Sequence, residues 1–285
     1  MSAPSKLSYR VLVSEQVPVA APAPLPNGQP QMAPPLASTL IYGDADAILV
    51  DVPTTIAEAE QLVGEIEREG KRLTHIYITH GHGDHWFGVT SLLARFPDAK
   101  VVATPGTIAV MAFNSSPQMR AQLWDVMFPG LIGSTAVTAE PLESNILHLE
   151  GNELHVLEVG HTDTDSTTVL HVPSLDLIVA GDVAYNGVHM YLAESAGGGR
   201  DAWLDALDVV EKLQPTTVIA GHKDQTKDDD ATRVLAETRA YLADAGRLLE
   251  EGVTATDYFT AITSAHPSRL NTGAAWISAN ALCGH

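Results

Sequence analysis

Four metal-ligand side chains in six residues constrain this chain more than any other feature: His80-Gly81-His82-Gly83-Asp84-His85. The run directly follows the apolar stretch Leu73 to Thr79, which reads as a buried strand, so the ligands fall on the loop leaving a sheet. Glycines between them allow the unusual backbone angles and close approach that turn several imidazoles toward one point. Neutral imidazole and carboxylate suit zinc and other borderline divalent metals, and three or four protein ligands with an open position make a catalytic site.

Further ligand types stand where other predicted strands end. His161 follows Leu154 to Val159, Asp182 follows Leu177 to Ala180, and His222 follows Thr217 to Ala220. Each is preceded by a glycine, Gly160, Gly181 or Gly221. Ligands at strand ends on one edge of a layered domain converge on a common cleft. A lone histidine in a turn would be an ordinary surface residue, but seven ligand types in matching contexts point to one site.

The pattern His-x-His-x-Asp-His at 80–85, then His161, Asp182 and His222 in that order, resembles the metallo-β-lactamase superfamily over roughly residues 38 to 225. The resemblance implies an α/β fold, an αββα four-layer sandwich with a metal pair at one edge. It also implies that His80, His82 and His161 hold one divalent metal, that Asp84, His85 and His222 hold the second, and that Asp182 bridges them. Zinc is the expected ion. Asp51 is similar to an aspartate that orients the ligand loop from behind.

The resemblance is to two-metal hydrolases rather than to every branch. The β-lactamases proper lack an aspartate at the position of Asp182, flavodiiron members carry glutamate at the position of His82, and persulfide dioxygenases bind a single iron. Asp182-Val183-Ala184-Tyr185 resembles the Asp-x-x-Tyr of acyl-homoserine lactonases, which places Tyr185 beside a substrate carbonyl. The expected reaction is attack of a metal-bridging hydroxide on an ester or lactone carbonyl, with Asp84 shuttling the proton and Tyr185 donating to the oxyanion. Thioester, amide or β-lactam and phosphoester hydrolysis on the same site are alternatives. An iron-dependent redox enzyme or a non-catalytic metal protein stands behind them. Trp86, Phe87, His189 and Tyr191 are expected to line the cleft and meet a small, partly apolar substrate.

Along the rest of the chain, strands and helices alternate in both halves, so residues 1–285 read as a single layered domain. Seven prolines in residues 17–35 mark a loop, and the dense apolar residues of 105–140, interrupted by Pro117, Pro129 and Gly130, read as short helices in an insertion. Sixteen Lys plus Arg against 35 Asp plus Glu give a net charge of −19, which repels phosphate backbones, so neither nucleic acid nor an anionic membrane is an expected partner. One cysteine, Cys283, requires no oxidising compartment, and no apolar stretch approaches the length of a membrane span. The chain reads as a cytoplasmic enzyme of small molecules, with a homo-oligomer left open.

Overall fold

The computed structural model describes residues 4–283 apart from residue 22. Its core is a pair of sheets. The first contains β1 (Ser8–Val13), β2 (Ala37–Tyr42), β3 (Asp46–Val50), β4 (Arg72–Tyr77), β5 (Lys100–Ala103) and β6 (Glu140–Pro141), in that spatial order. β1, β2 and β3 run antiparallel, and β3 through β6 run parallel. The second contains β7 (Ile146–Leu149), β8 (Asn152–Gly160), β9 (Thr167–Val172), β10 (Leu177–Asn186) and β11 (Thr217–Lys223), with β10 and β11 parallel and the other pairs antiparallel.

Alternation along these strands sends one set of apolar side chains between the sheets and the other outward. Ile41, Ile48, Val50 and Tyr77 of the first sheet meet Leu154, Val156, Leu170 and Val179 of the second. On the outer face of the first sheet lie α1 (Ile56–Glu69), α2 (Val89–Arg95) and α3 (Pro105–Asn114), with the short turns α4 (Pro117–Met119) and α5 (Asp125–Met127). The outer face of the second carries α6 (Gly199–Lys212), α7 (Ala231–Glu250), α8 (Ala255–Ala265) and α9 (Thr272–Leu282). The result is the expected αββα sandwich.

Local signals explain the helix ends. Thr55 caps α1 through the Glu58 amide while the Glu58 carboxylate returns to the Thr55 amide, and Gly70 closes the helix with φ of 66°. Gly83–His85 is a 3₁₀ turn, and α2 begins at Val89. α9 was not expected from the sequence. It buries Gly273, Ala274, Ala275, Ser278 and Ala279, small residues without the large apolar stripe that announces a helix.

The 105–140 segment forms short helices, with a stretch of π-helix at Arg120–Trp124. It leaves Phe113, Leu123, Val126 and Leu131 exposed. α3 braces two loops at once: Val110 packs on Gly81, and the Thr107 hydroxyl donates to the Ser166 carbonyl at 3.0 Å. No helix among the described residues is long and apolar enough to cross a membrane.

Candidate metal centre

The loop after β4 carries His80, His82, Asp84 and His85. Its glycines are there for space. A Cβ on Gly81 would lie 2.4 Å from the Val110 side chain, and one on Gly83 would lie 2.1 Å from the Phe87 ring. Asp182 and His222 lie within strands rather than after them. β10 and β11 extend to Asn186 and Lys223, and the register slips around Gly181, whose φ is 50°, turning Asp182 inward.

Four imidazoles each use one nitrogen on an outer acceptor. His85 Nδ1 lies 2.9 Å from Asp51 Oδ2, and His222 Nδ1 lies 3.1 Å from the Pro35 carbonyl. The Thr79 hydroxyl gives its proton to Asp51 at 2.7 Å, so its oxygen accepts from His80 Nδ1 at 3.1 Å. His82 Nε2 is 3.1 Å from Glu194 Oε1. An acceptor takes a proton from the nitrogen facing it. That leaves His80 Nε2, His82 Nδ1, His85 Nε2 and His222 Nε2 facing inward toward the carboxylates of Asp163, Asp182 and Asp84, where each would offer a lone pair to a cation on giving up its proton. Asp51 also accepts from the Thr79 amide at 2.9 Å, so one buried carboxylate, at φ of 57°, fixes the whole start of the loop.

The inward atoms converge in three groups, in each of which they lie within 4.8 Å of one another: His80, His85 and Asp182; Asp84, His85 and His222; His80, His82 and Asp163. His85 Nε2 stands 3.3 Å from Asp182 Oδ1, and His222 Nε2 stands 3.3 Å from Asp182 Oδ2 and 3.4 Å from Asp84 Oδ2. Tetrahedral bonds of ~2.0–2.1 Å to zinc separate ligand atoms by about 3.4 Å. His80 Nε2, His161 Nε2 and Asp182 Oδ1 are buried with no hydrogen-bond partner, a costly arrangement that a bound cation resolves, while Asp163 Oδ2 stands 2.6 Å from His82 Nδ1 as an ion pair. The residues therefore fit divalent metals.

Charge points the same way. Burial alone would raise the Asp182 carboxyl, but His222 and His85 hold it well below its ordinary range. Burial likewise opposes ionisation of Asp84, and the His222 hydrogen bond with the nearby imidazoles brings it to about 2. Desolvation lowers His222, while Asp182 and Asp84 raise it to about 9. The carboxylates demand positive charge, from protons or from metal.

Several expected site residues sit elsewhere. His161 joins none of the three groups. Its Nδ1 lies 2.7 Å from Asp165 Oδ1, and its buried Nε2 is directed at the start of α6, 2.7 Å from where a Gly199 Cβ would be. The turn after β8 instead presents Asp163, two residues later. Trp86 and Phe87 are core, not cleft: both are buried, the indole donates to the Gly81 carbonyl at 3.1 Å, and Phe87 packs edge-on against Trp124. They form the floor on which the loop rests.

His189 is buried, with Nδ1 3.1 Å from the Tyr241 hydroxyl, and burial pushes it down to about 3. It lines a different cleft, of about 400 Å³, together with Met32, Arg269 and Asn271 and with none of the grouped ligands. Tyr191 does reach the site, its ring edge-on to His82 at 5.6 Å. The Tyr185 hydroxyl is buried and donates to Asp182 Oδ2. Asp163, Glu194 and Thr79 were missed in the sequence. The only trace of Asp163 there is its place in the acidic run that follows His161.

Residues 35–222 match the family model of the metallo-beta-lactamase superfamily. The chain belongs to the metallo-β-lactamase superfamily. Among curated members it is similar to a hydroxyacylglutathione hydrolase of Synechococcus, 38% identical over 82 residues covering 26% of this chain and 32% of that protein. A second hydroxyacylglutathione hydrolase, of Rhodopseudomonas palustris, is 29% identical over 51% of this chain and 49% of its own length. A metal-dependent hydrolase of Agrobacterium fabrum is 31% identical over 42% and 58%. The chain thus spans less than two thirds of each of these relatives. Of solved superfamily structures, a metallo-beta-lactamase family protein from Thermus thermophilus superposes with a TM-score of 0.65 at 20% identity, covering 95% of this chain and 91% of that one. A metallo-beta-lactamase from Pontibacter korlensis gives 0.60 at 16%, covering 85% and 97%. At these identities the superpositions establish the fold alone.

Proposed function

We propose that this protein is a metal-dependent hydrolase that cleaves the carbonyl ester bond of a small ester or lactone, holding two divalent ions, zinc by the chemistry of the ligands. The observation that carries the reading is the convergence of four outward-anchored imidazoles on buried carboxylate oxygens that have no other partner. His85, His222 and Asp84 would hold one ion, His80 and His82 would begin the set for the other, and Asp182 lies close enough to both sets to join them. When bound, such ions polarise a carbonyl and bring the pKa of water to about 7.

The chain's own residues supply the rest. Asp84, ionised at neutral pH and partly open to solvent, accepts the proton of an attacking water and passes it to the leaving oxygen. Asp51 keeps His85 and the backbone of the loop from turning. Tyr185 orients Asp182 through its hydroxyl, a positioning task in place of the oxyanion contact expected from the sequence. Tyr191 offers an aromatic wall at the mouth. The negative surface disfavours strongly anionic substrates.

A second reading, thioester hydrolysis, is favoured by the hydroxyacylglutathione hydrolases among the relatives. Steady-state assays of zinc-loaded protein on an aryl ester, an aliphatic lactone and an S-acyl thioester separate the two. Ester or lactone turnover that chelation abolishes and zinc restores is expected. Thioester turnover alone would select the second reading, and no turnover of any of them by protein holding two ions would refute both.

A further inference from the structure

We propose that the cleft between the β1–β2 loop and the start of α9 binds a small hydroxylated monocarboxylate, with Arg269 as the cation that receives the carboxylate. The proposal goes beyond the hydrolytic reading and does not depend on the metal centre, none of whose grouped ligands lines this cleft.

The cleft has a volume of about 400 Å³, within the range of small-molecule sites. Its walls come from distant parts of the chain: Gln16 and Gln29 between β1 and β2, His189 after β10, and Arg269, Asn271 and Thr272 at the start of α9. None of the described residues that line it is Asp or Glu, although the chain as a whole carries a net charge of −19. An anion repelled by the outer surface is not repelled here.

Arg269 is 8% exposed, and among the described residues no carboxylate pairs with it. Its guanidinium stacks on the Tyr241 ring at 5.0 Å and donates to the carbonyls of Val188 and Glu237 at 2.7 and 2.9 Å. These contacts hold it in place but leave its charge uncompensated, because the Glu237 carboxylate goes to Arg233 at 3.2 Å. A buried cation without a counter-ion is costly, and a bound carboxylate removes that cost. Burial and the nearby Arg269 charge push His189 down to about 3, so the imidazole adds no second positive charge at neutral pH. One fixed positive charge matches a monoanion, and a carboxylate suits the planar fork of a guanidinium.

The start of α9 adds to this. Its N-cap residue, Asn271, forms no side-chain bond to the first turn, so the amides there present the positive end of an 11-residue helix to an anion. Asn271 is itself nine-tenths buried and lines the cleft, and its Oδ1 has no hydrogen-bond partner. That oxygen is an acceptor, so it calls for a donor on the ligand, which a hydroxyl supplies.

The test is isothermal titration of the zinc-loaded full-length chain with γ-hydroxybutyrate, and with γ-hydroxybutyramide as a neutral control of nearly the same shape. Saturable binding of the acid is expected, with the amide weaker by about tenfold or more. Arg269→Gln removes the cation, and Thr272→Asp puts a negative charge in the first turn of α9, where it favours the helix but repels the ligand. Each should weaken binding of the acid by about tenfold or more, with zinc content as in the wild type. If Arg269→Gln does not fold by circular dichroism, Thr272→Asp decides alone. No saturable binding of the acid, or equal binding of acid and amide, overturns the proposal. Binding of the acid that Thr272→Asp leaves untouched overturns it as well, and places the carboxylate on the metal ions. A parallel titration with lactate separates two sources of such an acid. Tighter γ-hydroxybutyrate assigns the cleft to the hydroxy acid that a lactone yields, tighter lactate to a ligand unrelated to the reaction, and either supports the site.

Discussion

The loop at Thr79–His85 and the turn at His161–Ser166 both bring ligand-type residues to the same edge of the sandwich, but they are built on different principles. In the first, outer acceptors hold the three imidazoles, and the buried Asp51 takes three donors by itself. In the second, the histidine leans on an exposed aspartate while the buried residue is a carboxylate two positions later. How firmly a ligand-type residue is held depends on what stands behind it, and spacing in the sequence does not report that support.

The sharpest way to break this contrast is Asp51→Ala. Removing that carboxylate leaves the Thr79 amide, the Thr79 hydroxyl and His85 Nδ1 without an acceptor, so a loss of about 3 kcal/mol or more is expected in chemical denaturation. Metal affinity should fall about 10–100-fold with it. Unchanged stability would show that the loop does not depend on Asp51.

Glycine substitutions come next, and separate crowding from backbone conformation. Gly83→Ala drives a Cβ into the Phe87 ring and should cost about 1–3 kcal/mol by overpacking. Gly160→Ala meets no atom within 4 Å, so only its φ of 87° penalises it, by about 1–2 kcal/mol. Thermal melts compare them directly. A Gly160 cost above that of Gly83 would reverse the view of which loop is tightly packed.

Tyr185→Phe removes one hydrogen bond to Asp182 and should keep both ions, lowering kcat about tenfold. A fall of about 100-fold or more would return Tyr185 to the oxyanion role. The smallest effect belongs to Asp165→Ala, the counterpart of Asp51 behind His161. An exposed side chain there should change stability by no more than about 0.5 kcal/mol and leave metal content intact. A lost ion would mean that the support of His161 matters after all.

Much of this was legible in the sequence. Apolar runs located the strands around Ile76, Val156, Val179 and Ile219. The ligand loop announced itself because its four ligand types are adjacent in the chain. The burial of Asp163 did not, since it depends on a turn that hides Asp163 while exposing Asp165, an outcome of tertiary contacts with Glu194 and α3. Trp86 and Phe87 misled for a related reason. Adjacency to the ligands suggested the cleft, but the 3₁₀ turn at Gly83–His85 sends both rings into the core beneath it. α9 escaped because Ala and Gly bury a helix without an amphipathic stripe.

The central claim is that these histidines and carboxylates are a paired metal site and not a buried network of ion pairs. Metal content of the purified, zinc-saturated chain, followed with the melting temperature before and after chelation, tests it directly. Two ions per chain, and a melting temperature that falls on their removal and recovers on their return, are expected. One ion or none, with a melting temperature indifferent to chelation, would contradict it.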